Sequence, residues 1–152
     1  MRALVQRVSR AKVTIDENVR GEVQQGLLVF LGVGKNDTEE EAAWLAKKVT
    51  DLRIFSDDAG KMNRSVQDIQ GGVLVVSQFT LHADVRKGTR PSFINAADPE
   101  TGKRLYEGFI QRIEQSGVTT VSGEFGAMMD VELVNDGPVT IWLTSPAERE
   151  EG

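Results

Sequence analysis

The segment Gly71-Gly72-Val73-Leu74-Val75-Val76-Ser77-Gln78-Phe79-Thr80-Leu81 decides the fold class of this chain. An aliphatic run between a glycine pair and a polar run is typical of a buried strand that surfaces at its end. A similar apolar run, residues 27–31, follows Gly26. Between the two runs, Thr38 and Glu41 form a capping box, and apolar residues at helical spacing predict a helix over about residues 39–52. This strand–helix–strand order indicates a mixed α/β domain.

The flanking segments extend the pattern on both sides. Residues 3–15 alternate between apolar and polar and predict a strand, with a turn at 16–18 and a returning arm over 19–24. A short strand is predicted at 54–55, and a second helix begins at Asp98 as N-cap with Pro99 at its first position. That helix stops at Gly117, and three closing strands are predicted over 118–121, 129–134 and 139–143. The order, in shorthand β2-(αβ)2-β3, predicts a mixed sheet with helices on one side.

Length and composition limit the classes of protein that the chain can represent. Its 152 residues fit one domain, which we expect over residues 1–145, followed by a frayed acidic tail over 146–152. The average hydrophobic fraction of 39% argues against disorder and membrane burial. The absence of cysteine excludes disulfides, thiolate catalysis and cysteine zinc sites. Because the first ten residues lack the apolar run of a signal peptide, we expect a cytoplasmic protein without membrane contact.

The charge distribution leaves a local nucleic-acid contact open. The net charge of −5 argues against a protein that binds by broad phosphate neutralisation. Cations nevertheless cluster in one loop that contains Arg86, Lys87 and Arg90. This loop is either a set of phosphate contacts or an ordinary solvated charged loop.

Ser77, Gln78, Phe79 and Thr80 form the polar end of the buried strand. One interpretation makes them a pocket edge, where backbone N–H groups hold a developing oxyanion and a hydroxyl acts as nucleophile or water anchor. The other interpretation is a strand end whose hydroxyls bond to the local backbone.

Other polar segments have simpler interpretations. His82 is the only histidine, and a triad of Ser77, His82 and Asp84 is a weak alternative because triads depend on geometry rather than proximity in sequence. Residues 57–60 are interpreted as a turn rather than a cation site. Residues 135–138, Asn-Asp-Gly-Pro, have the composition of a hairpin turn.

The motifs taken together resemble the D-aminoacyl-tRNA deacylase family, in its bacterial and eukaryotic form, from Arg2 to Leu143. The resemblance rests on the order and spacing of these segments: Leu4-Val5-Gln6-Arg7-Val8, Gly26-Leu27-Leu28-Val29, Arg53-Ile54-Phe55-Ser56, Gly60-Lys61-Met62-Asn63, Ser77-Gln78-Phe79-Thr80-Leu81, Arg90-Pro91-Ser92-Phe93 and Leu133-Val134-Asn135-Asp136-Gly137-Pro138-Val139-Thr140.

The resemblance implies a three-layer α/β/β homodimer with the active site at the subunit interface. It implies that residues 77–80 form the catalytic wall and that a cis Gly137–Pro138 pair enters the pocket from the partner subunit. Arg7 would brace that pair, and Phe125 and Met129, which composition alone assigns to the core, would line an adenosine pocket. The implied substrate is aminoacylated tRNA carrying a D-amino acid or glycine, and L-amino acids would be rejected by steric clash. No metal and no cofactor are implied.

Two questions stay open at this level. The ester is hydrolysed either by Thr80 as nucleophile or with help from the ribose 2′-hydroxyl while the protein positions substrate and water, and we favour the second. The main alternative function is a non-enzymatic nucleic-acid-binding protein on the same fold, and a third is a general esterase.

Overall fold

The computed structural model describes residues 1–151, with side chains described through residue 148. The strands and helices, in chain order, are β1 (Arg2–Ile15), β2 (Asn18–Val23), β3 (Gly26–Gly32), α1 (Glu39–Asp51), β4 (Phe55–Ser56), β5 (Met62–Arg64), β6 (Gly72–Ser77), α2 (Pro99–Gln115), β7 (Thr119–Ser122), β8 (Asp130–Thr144) and α3 (Pro146–Glu151). A short 3-10 helix, Phe79–His82, follows β6. None of the helices in residues 1–151 is long and apolar enough to cross a membrane.

Six of the strands form the main sheet. β3, β6 and β7 are parallel neighbours, whereas β1 runs antiparallel to β3. β8 pairs with β1 along nearly its whole length. β8 occupies one edge of β1, and two strands share its other edge. β3 pairs with residues 2–8 of β1, and β2 pairs with residues 11–15. The long β1 therefore connects two parts of the sheet.

The main sheet lies between two apolar cores. Alternate residues of β3 enter different cores: Leu27 and Val29 pack under α1 and α2, whereas Leu28 packs on the opposite face. The opposite core is closed by residues from the far parts of β1, β2 and β8, among them Val13, Val23 and Val131. The result is the mixed α/β fold in three layers, with helices on one side, that the sequence predicted.

Both long helices begin where their caps predicted. The Thr38 hydroxyl accepts a hydrogen bond from the Glu40 N–H, and the Glu41 carboxylate accepts one from the Thr38 N–H at 2.6 Å. Asp98 caps α2 by accepting from the Thr101 N–H at 3.1 Å. Gly117, with φ of +90°, lies just beyond the end of α2, in a conformation that favours glycine.

The prediction of a hairpin turn at residues 135–138 is wrong. The predicted strands 129–134 and 139–143 are one strand, β8, and both halves pair with β1 in the same direction. Gln6 pairs with Thr140 and Val8 with Asn135, so the four residues 136–139 face the single residue Arg7. Turn-forming residues here produce a large bulge rather than a reversal, because the pairing partner is the same on both sides.

The tail also differs from the prediction. Residues 146–151 form a helix instead of a frayed segment, and Gly152 lies outside the described residues. The helix is held to the start of the chain because the Glu148 carboxylate accepts a hydrogen bond from the Met1 α-ammonium at 2.9 Å and pairs with Arg2. The Glu148 carboxylate is therefore paired with two cations.

Candidate active site

The polar end of β6 surfaces as the sequence predicted. Ser77 pairs with Leu31 of β3, and the Gln78 N–H donates to the Leu31 carbonyl at 2.8 Å. The chain then turns into the 3-10 helix, which leaves Phe79 and Thr80 exposed. The Gln78 side-chain amide donates to the Thr80 hydroxyl. The first N–H groups of such a helix have no partner within it, so the backbone at Phe79 and Thr80 offers donors at the surface.

An exposed aromatic pair stands beside this strand end. The rings of Phe79 and Phe93 meet edge to face, with centroids 5.0 Å apart, while 55% of Phe79 and 37% of Phe93 remain exposed. Exposed aromatic rings next to polar groups are typical of binding surfaces, since a ring can stack on a base or pack in an interface.

The two predicted pocket residues, Phe125 and Met129, follow β7 in the chain but lie on different faces of the sheet. Phe125 packs near Tyr106, with ring centroids 5.9 Å apart, and lines a groove of about 430 Å³ beside α2. Met129 packs into the opposite core, where its sulfur lies against Gly123. The groove beside Phe125 is therefore not lined by Met129 in the single chain. Because β3, β6 and β7 are parallel, this segment and residues 77–80 leave the sheet at the same edge.

The Gly137–Pro138 peptide bond is cis, and both residues are exposed. Arg7 holds the bulge that contains them: its Nε donates to the Asp136 carbonyl at 3.1 Å, and its Nη1 donates to the Ile54 carbonyl at 2.7 Å. The Asp136 carboxylate also lies 3.4 Å from Arg7 Nε. A side chain at Gly137 would meet Arg7, since an added Cβ lies 2.8 Å from Nη2. The guanidinium thus touches the bulge directly.

The two predicted parts of the site are far apart within one chain. Ser77 lies opposite Leu31 of β3, whereas Arg7, which faces the bulge, lies opposite Leu27. The path from β6 through β3 and β1 to β8 crosses three strand spacings, which with the offset along β3 amounts to roughly 20 Å. Residues 77–80 and Gly137–Pro138 therefore do not meet within one chain.

The weak alternative of a Ser77–His82–Asp84 triad is wrong. His82 is buried, and its Nε2 hydrogen-bonds to the Gly32 carbonyl at 2.9 Å rather than to Ser77. Burial lowers the pKa of His82, so the ring is neutral near pH 7. Asp84 is engaged by Arg86, with contacts between 2.7 and 3.2 Å. His82 serves the fold by tying the 3-10 helix to the end of β3.

The basic loop contains Arg86, which is paired with a carboxylate, and Lys87 and Arg90, which form no ion pair with the side chains of residues 1–148. Hydrogen bonds from Arg86 lower the pKa of Asp84 to about 2, so this pair stays ionised. Lys87 and Arg90 are exposed and border the same surface cleft of about 540 Å³. The loop therefore presents Lys87 and Arg90, rather than Arg86, as its uncompensated charges.

Residues 57–60 form a turn, as predicted. The Asp57 carboxylate accepts from the N–H groups of Ala59 and Lys61 at 2.9 Å and from the Asn63 amide at 2.8 Å. The hydrogen bond from Asn63 is the largest cause of the lowered pKa of Asp57. In the described part of the chain, no group of three or more His, Asp and Glu side chains is arranged to hold a metal ion.

Comparison with known proteins gives the class to which this fold and site belong. The model of the D-Tyr-tRNA(Tyr) deacylase family matches residues 4–144. A relative from Thermotoga petrophila, named D-aminoacyl-tRNA deacylase, is 60% identical over 145 residues, covering 95% of this chain and 97% of that protein. The chain belongs to the D-Tyr-tRNA(Tyr) deacylase family, as its motifs predicted.

Two solved structures share the fold. One, titled c-Myc DNA Unwinding Element Binding Protein, superposes with a TM-score of 0.90 at 40% identity and covers 96% of this chain and 99% of its own. The other, titled as a probable eukaryotic D-amino acid tRNA deacylase, has a TM-score of 0.81 at 17% identity, with 93% and 97% coverage. At that identity the second structure bears on the fold alone.

Proposed function

We propose that this protein is a D-aminoacyl-tRNA deacylase, a cytoplasmic hydrolase that cleaves the ester between a D-amino acid and the 3′-terminal ribose of tRNA. The observation that carries the proposal is the Gly137–Pro138 pair, which Arg7 holds through the Asp136 carbonyl and which is exposed at the surface. The family membership and the curated name of the Thermotoga petrophila relative support the same activity.

The active form is a homodimer whose pockets each draw on both subunits. The separation of roughly 20 Å between the strand end and the bulge requires a second copy if the two are to act on one substrate. A cross-strand row of Trp142, Leu4 and Phe30 supports such an interface. Their neighbours along each strand, such as Val5 and Ile141, pack under the helices, so the row lies on the opposite face, and 49% of Trp142 is exposed.

In the assembled pocket, residues 77–80 meet the ribose and the ester, and Gly137–Pro138 from the partner meets the amino-acid end. Exposed main-chain carbonyls can accept hydrogen bonds from an α-ammonium group. Rigid backbone close to Cα leaves room for hydrogen on one side only, which excludes an L side chain by clash whatever its identity. Glycine has no side chain to reject, so glycyl-tRNA is a second substrate.

Hydrolysis depends on positioning more than on a protein nucleophile. The Thr80 hydroxyl accepts from the Gln78 amide, and the nearby His82 ring is turned to the Gly32 carbonyl. Among residues 1–148 no basic side chain hydrogen-bonds to the Thr80 hydroxyl, so this hydroxyl is poorly activated. We assign the assisting role to the ribose 2′-hydroxyl, while backbone donors at Phe79 and Thr80 stabilise the oxyanion. The loop cations Lys87 and Arg90 contact tRNA phosphates.

The deciding experiment is a paired deacylation assay with D-Tyr-tRNA and L-Tyr-tRNA at matched low enzyme concentration. Rapid loss of the D ester with the L ester intact supports the proposal. Equal loss of both esters would identify a general esterase.

One observation supports the alternative of a non-enzymatic nucleic-acid-binding protein, namely the similarity to the solved structure titled c-Myc DNA Unwinding Element Binding Protein. Loss of neither ester, together with tight binding of a duplex DNA probe at physiological salt, would establish that alternative. Salt must be fixed because nucleic-acid affinity changes steeply with ionic strength.

A further inference from the structure

The bulge in β8 leaves backbone groups that need partners. Four residues, 136–139, face Arg7 alone, so the regular ladder between β1 and β8 is interrupted between Gln6 and Val8. Buried or half-buried carbonyls that lose a ladder partner must find another donor. Arg7, opposite the bulge, and Val139, its last residue, are both half-buried, so their carbonyls need donors.

Both carbonyls are satisfied by the side chain of one residue, Asn135. Its Nδ2 donates to the Arg7 carbonyl at 3.0 Å and to the Val139 carbonyl at 3.0 Å. Its Oδ1 accepts from the Thr140 hydroxyl at 3.2 Å, and that hydroxyl accepts from the Gln6 amide at 3.2 Å. Asn135 therefore joins both ends of the bulge to β1.

This arrangement requires a side-chain amide. Each Asn amide has two N–H donors and a carbonyl acceptor, which match two carbonyls and one hydroxyl. An aspartate of the same shape has no donor and would place a negative charge against both carbonyls. Arg7 holds the bulge at Asp136, near its middle, whereas Asn135 fixes its two ends.

We propose that Asn135 is a positioning residue that sets the discrimination between D- and L-aminoacyl esters by fixing where Gly137 and Pro138 stand. It touches neither substrate nor ester and acts only through the main chain of the bulge. This inference rests on the proposed deacylase function. Substitution of Asn135 is therefore expected to alter stereoselectivity and kcat. Binding of tRNA, which uses other surfaces, should be preserved.

The test compares Asn135→Asp with Asn18→Asp and with the unaltered dimer. Asn18 is a matched control because its Nδ2 also donates to a backbone carbonyl, that of Asp16 at 3.0 Å, but in the β1–β2 turn. Rates on D-Tyr-tRNA and L-Tyr-tRNA are measured with KM and kcat separated, and the Tm of each variant is recorded. A misplacement of this kind costs up to about 100-fold in kcat.

We expect Asn135→Asp to lower kcat on the D ester by at least about tenfold and to reduce the D-to-L rate ratio by a similar factor, with KM nearly unchanged. Asn18→Asp should leave the ratio unaltered. An unchanged ratio in a folded Asn135→Asp dimer would overturn the inference while leaving the deacylase proposal intact. Absence of D-selective activity in the unaltered dimer would instead remove the proposed function itself.

If Asn135→Asp is unfolded at the assay temperature, Thr140→Val carries the same test. The Thr140 hydroxyl orients the Asn135 amide and is exposed, so its loss leaves the fold intact. We expect Thr140→Val to lower the D-to-L rate ratio severalfold. On a logarithmic scale this is about half the effect expected for Asn135→Asp. A ratio equal to that of the unaltered dimer overturns the proposal.

Discussion

Arg7 and Asp136 are joined twice, by a hydrogen bond of 3.1 Å from Nε to the Asp136 carbonyl and by an ion pair of 3.4 Å to its carboxylate. Through this contact β1 holds the bulge that presents Gly137 and Pro138. The same guanidinium reaches the Ile54 carbonyl at 2.7 Å, so one side chain fixes the bulge and the segment before β4 together.

Arg7→Lys is expected to lower the rate on D-Tyr-tRNA by at least about tenfold, because an ammonium cannot reproduce the fork that serves two carbonyls. Loss of a hydrogen bond to a charged group should reduce the free energy of unfolding by about 1.5–3 kcal/mol. Urea unfolding and the paired assay measure the two effects. Arg20→Lys, at an exposed pair with Glu124, is the control and should change stability by less than about 0.5 kcal/mol.

Gly137→Ala should impair both folding and activity. Gly137 has φ of +126°, which side chains rarely adopt, and an added Cβ would meet Arg7 and Val139 within 3.1 Å. We expect a loss of about 1–3 kcal/mol in the free energy of unfolding. Gly108→Ala is the control, and its effect on the free energy of unfolding should have the opposite sign. Because open space surrounds Gly108 in α2, alanine there should raise the free energy of unfolding by about 0.5–1 kcal/mol. Equal and small effects of the two changes would contradict this account of the bulge.

Loop cations should differ in their contribution to tRNA binding. Lys87→Ala with Arg90→Ala should raise KM for D-aminoacyl-tRNA and reduce the slope of log affinity against log salt by about 1 to 2. Arg86→Ala should have a smaller effect because Asp84 already neutralises that guanidinium. Filter binding over a salt series separates the cases. A larger effect from Arg86→Ala would show that the pair with Asp84 opens on binding.

Trp142→Glu should convert the dimer to a folded monomer without deacylase activity. The side chain is 49% exposed on a sheet face whose neighbours Leu4 and Phe30 are apolar, and a charge there must be desolvated in any interface. Val19→Glu, at an apolar position with 52% exposure in β2, is the matched control and should remain dimeric. Light scattering after size exclusion gives the oligomeric state, and an active Trp142→Glu dimer would argue against this face.

Stability should fall at alkaline pH because of Tyr106. Burial raises the pKa of Tyr106 to about 12, above its ordinary value of 10.0. Between those values the unfolded chain loses the phenolic proton while the folded chain keeps it, so stability is full below about pH 10 and is lost as pH rises through about 12. The difference of two pKa units corresponds to at most about 2.7 kcal/mol. Urea midpoints from pH 9 to 12 should decline more for the unaltered protein than for Tyr106→Phe.

Local interactions explain the features that the sequence predicted correctly. Thr38 with Glu41, and Asp98 with Pro99, specify helix starts through contacts within one turn, so no distant residue is needed. The aliphatic runs of β3 and β6 predicted buried strands because only a core covers such residues on both faces. The order and spacing of the motifs were enough to indicate the family, and the polar end of β6 was predicted to surface where it does.

Pairing over long sequence distances decided the rest. Residues 135–138 have turn-forming composition, and whether they reverse the chain or bulge from it depends on β1, which lies more than a hundred residues away. In the same way, Glu148 pairs with Met1 and Arg2, and Arg86 pairs with Asp84, only once the chain is folded. The strand end at Ser77 and the bulge at Gly137 proved distant within one chain. By itself, then, the sequence determined the local elements and the family, because both are encoded in short-range patterns. Which groups lie together was decided by the tertiary structure alone, because strand register and side-chain pairing arise only when distant segments pack.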